Sequence, residues 1–386
     1  VTVSGGGLLT INADGSYVFD PNGQYESLAV DESVPESVTY TVSDGEGGTH
    51  QATLTIRVDG VNDDPEAPEL GSQTGVDAEL GVSIDASFTD PDGSDVLSYS
   101  ATGLPSGLSI YPSTGLITGV IDNSASQGGP GSDGIYQVTV TADDGNGGVV
   151  STPFTYTVTN PGPTAVDDAN STGEDSVLTV AASPTTGVLF NDTDPDGDAL
   201  TVSEVNGSAA NVGSAVATSG GGLLTINADG SYVFDPNGQY ESLAVDESVT
   251  ESVSYTVSDG EGGTETATLT ITVDGVNDDP EAPELTDQTG VDAQAGISLD
   301  ASFTDPDGSD VLSYSATGLP SGLSIDPSTG LITGVIDSSA SQGGPGSDGI
   351  YQVTVTADDG TGGVVSTPFT YTVTNPGPTA VDDANS

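Results

Sequence analysis

Val38-Thr39-Tyr40-Thr41-Val42-Ser43-Asp44-Gly45-Glu46-Gly47-Gly48-Thr49-His50-Gln51-Ala52-Thr53-Leu54-Thr55-Ile56-Arg57-Val58 alternates apolar with polar residues, breaks on a glycine-rich turn and alternates again. A period of two gives each run one apolar face, and an Asp-Gly turn reverses the chain, so the stretch reads as a β-hairpin. Tyr136, Val138 and Val140 repeat the device, turning at Asp143-Asp144-Gly145-Asn146-Gly147-Gly148 and returning through Val150, Thr152, Phe154, Tyr156 and Val158. No stretch has a helical period. Many short strands with Gly and Asp turns, each with one apolar face, predict an all-β chain of antiparallel sandwiches rather than barrels enclosing a ligand cavity.

Outward from the hairpin the sequence repeats itself. Residues 1–171 recur 215 positions later without insertion or deletion, so Asp14 matches Asp229 and Asp90 matches Asp305. Acidic joints then divide the chain into modules of ordinary sandwich size. Residues 1–64 align with the C-terminal part of a longer module, because Val1 matches Val216; 65–163 form a shorter module; 164–279 the complete longer one; 280–378 the second shorter one; and 379–386 begin another. Residues 1–64 lack the opening strands that Thr164 to Ala215 supply in the full copy, so unpaired edges and exposed apolar faces are expected there.

The joint Val61-Asn62-Asp63-Asp64-Pro65-Glu66-Ala67-Pro68-Glu69 returns letter for letter at residues 276–284. Its prolines stiffen the backbone while its carboxylates repel, at about 4 kcal/mol for a pair ~4 Å apart in a dielectric of ~20. A hard multivalent cation with oxygen ligands, Ca²⁺ above all, relieves that repulsion.

With one Lys or Arg against 59 Asp and Glu, the formal charge is −58, which makes nucleic acid and anionic membranes poor partners and cations good ones. A hydrophobic fraction of 33%, ordered by period, still argues for folded domains. No Cys is present, which excludes disulfides, thiolate zinc and thiol nucleophiles, and no run of residues reads as a membrane helix, so direct membrane insertion is not expected. With no Met at its start, the chain is expected to be part of something longer, so a missing export signal says nothing about location. His50 and Arg57 are replaced in the second copy by Glu265 and Thr272, and without Lys or a shared His no base is available for acyl transfer. Paired carboxylates capable of glycoside hydrolysis lie in turns rather than in a cleft, so the chain is read as no enzyme. Gln127-Gly128-Gly129-Pro130-Gly131-Ser132-Asp133-Gly134 occurs once per unit and lacks the tandem repetition of a calcium β-roll, so it reads as a loop.

The shorter module resembles the dystroglycan-type cadherin-like, or putative immunoglobulin-like, domain of bacterial surface proteins. The resemblance rests on Phe88-Thr89-Asp90-Pro91-Asp92-Gly93, Gly107-Leu108-Ser109-Ile110, Ser113-Thr114-Gly115-Leu116-Ile117-Thr118-Gly119 and Tyr136 to Gly145. The longer module is similar to the VCBS and tandem cadherin-like repeats of large bacterial adhesins through Pro163 to Asp168, Asn191-Asp192-Thr193-Asp194-Pro195-Asp196-Gly197-Asp198, Tyr232-Val233-Phe234-Asp235-Pro236 and Val257-Ser258-Asp259-Gly260. The resemblance implies tandem Ig/cadherin-like sandwiches in an elongated array, with calcium where a linker meets two loops of the next domain. The ligands so implied are Asn62, Asp63, Asp64, Asp90, Asp92 and Asp143 or Asp144 at the first joint, and Asn277, Asp278, Asp279, Asp305, Asp307, Asp358 and Asp359 in the copy. Asp122 and Asp337 match an acidic group before the last hairpin. The other joint, Asn160 to Asp168, lacks the Asn-Asp pair and is expected to hold fewer ions, from Asp194, Asp196 and Asp198 in one loop and Asp259 and Glu261 in another. Asp-Pro-Asp-Gly is also a good type I turn, so a single copy has an ordinary structural reading.

The resulting expectation is a Ca²⁺-rigidified extender of a large secreted or surface-anchored bacterial adhesin, extracellular, whose partners are calcium ions, neighbouring repeats and, through a tip outside this chain, cell-surface or glycan ligands. The alternative is a carbohydrate- or protein-binding accessory module of a secreted enzyme. It requires an exposed aromatic platform, for which 13 Tyr, 7 Phe and no Trp in mostly core-facing positions provide little.

Overall fold

The computed structural model describes residues 1–378, and the expected start of a further module, 379–386, lies outside them. Strand predominates, and among the described residues helix is confined to three single 3₁₀ turns, Ala125–Gln127, Ala209–Asn211 and Ala340–Gln342. None of these is long or apolar enough to cross a membrane. The chain forms two compact units. The first comprises Val1–Pro163 with Thr193–Leu200 and Ser258–Thr264, and the second the remaining described residues from Thr164 onward.

In the first unit, Leu8–Ile11 pairs antiparallel with Tyr17–Asp20, and Ser33–Ser43 with Thr49–Asp59, the hairpin read from the sequence, with Val38 opposite Leu54. Each pair is a two-stranded sheet. In the second unit the matching strands are embedded in four-stranded sheets, one ordered Leu178–Val180, Tyr232–Asp235, Leu223–Ile226, Val216–Ala217, the other Asp168–Gly173, Thr264–Asp274, Ser248–Ser258, Thr201–Val205. The covering layer decides burial: Tyr17 is 52% exposed, whereas its counterpart Tyr232 is 4% exposed, inside a core with Phe234, Leu224, Tyr255 and Leu269. Each large apolar side chain moved from water into such a core contributes about 1.5–3 kcal/mol.

The module after the first linker packs a four-stranded sheet, ordered Gln73–Val76, Val149–Thr159, Ile135–Asp143, Ser98–Thr102, against a three-stranded one, ordered Val82–Asp85, Leu116–Gly119, Leu108–Ile110. Inward-facing Ile117, Val138, Val140, Phe154 and Tyr156 fill the space between. The module at the end of the second unit repeats the plan around Ile332, Val353, Val355, Phe369 and Tyr371.

Among the described ladders, pairing in these sandwiches is antiparallel except at one edge of each. Gln73–Val76 runs parallel to Val149–Thr159, Asp168–Gly173 to Thr264–Asp274, and Gln288–Val291 to Val364–Thr374. The reason is topological. The last strand leaves the hairpin turn at the linker end and runs away from it, and the opening strand, fed from the same end, must run the same way.

Candidate metal centre

The second unit contains the linker Asn277-Asp278-Asp279. Its geometry begins with the Asp-Pro-Asp-Gly turn, where the Asp307 amide donates to Asp305 Oδ1 at 3.0 Å, while the Asp278 amide donates to Asp307 Oδ2 at 2.9 Å. Asp307 is thus pulled inward to 1% exposure, leaving its Oδ1 without a partner. Glu174, 2% exposed, accepts from the Val276 amide at 2.7 Å and leaves Oε2 unpaired. Opposite, the turn after the strand Ile350–Asp358 wraps Asp359 in the amides of Thr361, Gly362 and Gly363 at 2.7, 2.8 and 3.0 Å, with Asn277 Nδ2 donating at 3.1 Å.

These side chains fall into three groups: Glu174, Asp278 and Asp307; Asp175, Glu241 and Asp278; and Asp305, Asp310 and Asp359, in each of which one carboxylate oxygen per residue lies within 4.8 Å of the others. Asp278 belongs to two of them. Burial first, and the neighbouring carboxylates after it, push Glu174, Asp278 and Asp305 above the ordinary range, whereas Asp359, despite burial, is held at about 2 by its donors. Relief from a basic side chain is not available, since the chain's one Lys or Arg, Arg57, lies exposed against Asp59 at 2.5 Å. Oxygens bound to Ca²⁺ at 2.3–2.6 Å lie up to roughly 5 Å apart across the ion, so all-oxygen triads with orphaned buried atoms fit that cation.

The first linker repeats part of this arrangement in the first unit. The Asp63 amide donates to Asp92 Oδ2 at 2.8 Å, the Asp92 amide to Asp90 Oδ1 at 2.9 Å, and Asn62 Nδ2 to Asp144 Oδ2 at 2.9 Å. Asp90, Asp95 and Asp144 form the matching triad, and Asp92, 1% exposed, again has an orphaned Oδ1. Burial, then like charge, raises Asp90. Gly148 permits this packing, since a Cβ there would lie 2.1 Å from Asp144 Oδ2. The Glu174 and Asp175 positions have no counterpart among residues 1–64.

Of the two acids in each hairpin turn, the second enters the site. The carboxylates of Asp143 and Asp358 are exposed and accept from the Gly145 and Gly360 amides. Asp64 and Asp279 are exposed too and join no triad. Asp122 and Asp337 are not brought to these clusters. They follow strands that run away from the linker, and their backbone carbonyls open the 3₁₀ turns by accepting from Ala125 and Ala340.

The middle linker supplies Asn160, whose Nδ2 donates to buried Asp259 at 2.7 Å, and Asp259 also accepts from Glu261 and Gly263 at 2.8 and 3.0 Å. Asp194, Asp196 and Asp198 form a triad in which Asp194 Oδ2, both Asp196 oxygens and Asp198 Oδ2 are orphaned. Burial and its two neighbours push Asp196 up to about 7. Asp77, which sequence reasoning missed, lies close enough for its charge to reach this group. It is 2% exposed, accepts from the Ser126 amide at 2.8 Å, keeps Oδ2 unpaired, and its charge acts on Asp198 and Glu261.

Asp77 and Glu174 occupy one topological position. Each directly follows the parallel opening strand and donates its amide to the end of the last strand, Thr159 or Asp274, as Asp292 does to Thr374. The signal in the sequence is an acid within two residues of a Thr-Gly pair, at Thr74-Gly75, Thr172-Gly173 and Thr289-Gly290.

Two family models alternate along the chain. The bacterial cadherin-like domain matches residues 1–60 and 160–275, and the putative Ig domain matches 70–159 and 282–374. No curated protein matches the sequence. Among solved structures, Drosophila N-cadherin EC1-4 is similar at 17% identity and a TM-score of 0.40, over 97% of this chain and 91% of that one. Mouse cadherin-23 EC22-24 is similar at 16% identity and a TM-score of 0.38, over 82% and 100%.

Proposed function

Since the chain alternates bacterial cadherin-like and putative Ig domains in tandem sandwiches, we propose that it is an extender segment of a secreted or surface-anchored bacterial adhesin, stiffened by Ca²⁺ at its linkers. The observation that carries this reading is the triple cluster at Asn277-Asp278-Asp279, where eight carboxylates from the linker and its flanking modules converge without a basic partner. Asp278, Asp307 and Glu174 would hold one ion, Asp175 and Glu241 with Asp278 a second, and Asp305, Asp310 and Asp359 a third. At the first linker Asp90, Asp95 and Asp144 would hold an ion, and at the middle one Asp194, Asp196 and Asp198. Calcium there replaces mutual repulsion by attraction to a shared charge, and a linker tied to the loops on both sides loses its freedom to bend. Extracellular calcium modules work at dissociation constants of about 10⁻⁴–10⁻³ M, which suits a segment outside the cell. A role as spacer needs no catalytic group, in keeping with a non-enzymatic chain.

Calorimetric titration of Ca²⁺ into the full chain tests the proposal. Saturable heats with several ions per chain are expected, with fewer ions when Asp307 and Asp278 are both replaced by Asn. Flat heats up to millimolar calcium would remove it.

A further inference from the structure

The complete bacterial cadherin-like module contains another knot of oxygen atoms, which the linker clusters do not use. Asp168, on the opening strand Asp168–Gly173, is 8% exposed, and its Oδ1 has no hydrogen-bond partner. Asn191 Oδ1 and Asp192 Oδ2 are also buried without partners. Asp168 accepts from the hydroxyl of Tyr255, a fully buried side chain whose single proton faces three acceptors: Asp168 Oδ2 at 2.7 Å, Val188 O at 3.0 Å and Val166 O at 3.2 Å, and through Val166 the other two residues join it. Asp192 Oδ1 accepts from the Val166 amide at 2.8 Å, and Asn191 Nδ2 donates to Val166 O at 3.5 Å. Acceptors therefore outnumber donors, and residues 164–279 contain no Lys, Arg or His to correct the imbalance.

We propose that Asp168 Oδ1, Asp192 Oδ2 and Asn191 Oδ1 form an internal site for a hard divalent cation of calcium's size, separate from the linker sites. Two carboxylates match its charge. An amide oxygen and the neighbouring carbonyls are the neutral ligands such an ion takes, with water completing six to eight positions. One added proton would supply one hydrogen bond and leave the other orphaned oxygens as they are. Burial followed by the Asp168 charge raises Asp192 to about 6, which marks the same shortage of positive charge. The ion would clamp the opening edge strand to the segment leading into the Asp194–Asp198 loop.

The test counts bound Ca²⁺ by native mass spectrometry on the full chain in which Asp194, Asp196 and Asp198 are replaced by Asn. Adding Asp168→Asn, or Asp192→Asn, should remove one further ion. An unchanged count overturns the site. If those variants do not fold, the Val166 and Asn191 amide resonances are followed during Ca²⁺ addition to the chain that keeps Asp168 and Asp192. Saturable shifts at Ca²⁺ concentrations where NaCl of equal ionic strength does nothing support the site, and no shift, or the same shift with NaCl, overturns it. Because the internal ion is read with the middle triad removed, empty linkers beside a filled Asp168 site would defeat the extender proposal alone.

Discussion

The shape of a carboxylate site depends on residues that bear no charge. A Cβ on Gly363 would lie 2.2 Å from Asp359 Oδ2 and 2.8 Å from Asp279 Oδ1, so Gly363→Ala should push the Asp359 carboxylate out of place. Calcium affinity of that group should fall by about 10- to 100-fold, the usual cost of misplacing a ligand, while Gly377→Ala, which meets nothing, serves as control. Equal affinities would show that Asp359 only shapes the turn. Protonation gives a second residue-scale prediction. Asp196 sits at about 7 in the folded chain against an ordinary 3.8, so the folded metal-free protein holds this proton more tightly than the unfolded one does. Stability must then fall as pH rises from about 4 to about 7. The melting temperature of the metal-free chain should decline over that window and decline less in Asp196→Asn, whereas saturating calcium, which needs the ionised form, should oppose the decline. A flat metal-free profile would contradict this. The entry of Asp144 rather than Asp143 was within reach of the sequence, since inward Val138, Val140 and Ala142 carry the alternation on to 144. Asp77 was harder to find, because Val76-Asp77-Ala78-Glu79 lies in neither a linker nor an Asp-Gly turn.

At the scale of elements, identical hairpins behave differently because of what covers them. Ser33–Ser43 pairs only with Thr49–Asp59, while Ser248–Ser258 lies second from the edge in a four-stranded sheet. Amides of Val38, Tyr40 and Val42 should exchange with deuterium at least tenfold faster than those of Val253, Tyr255 and Val257, an order-of-magnitude gap expected when covering strands and their apolar contacts are removed. Equal protection would mean that the hairpin is stable by itself. The hairpins were legible in the sequence because alternation and an Asp-Gly turn are local signals. The parallel edge strands were not. Gln73-Thr74-Gly75-Val76 has one strongly apolar residue and no period to read, and its place is set by where the chain enters the sandwich.

For the whole molecule, a formal charge of −58 makes stability a question of counterions. With free Ca²⁺ at ~10 mM and a dissociation constant of ~0.1 mM, each filled site adds about 2.7 kcal/mol to its module. Chelation should therefore lower the melting temperature by roughly 10–20 °C per lost site for modules of about 100 residues. Mg²⁺ should restore less, because it prefers an octahedral, partly hydrated shell. NaCl at equal ionic strength screens without binding, and full recovery in NaCl alone would assign the effect to general repulsion.

The parallel pairing of opening and closing strands also sets how each sandwich responds to tension. A pull on the chain reaches the start of Gln73–Val76 and the end of Val149–Thr159, which lie at opposite ends of one parallel ladder. The load runs along the strands, so their hydrogen bonds must yield together in shear, where a hairpin pulled from its two open ends would unzip one rung at a time. The ladder from Gln288 to Val291 is loaded in the same way. Stretching single molecules should give discrete high-force ruptures from these modules and only a low-force yield from residues 1–64, whose two sheets have no parallel partner. Rupture at one common low force would mean that the ladder slides before it bears load.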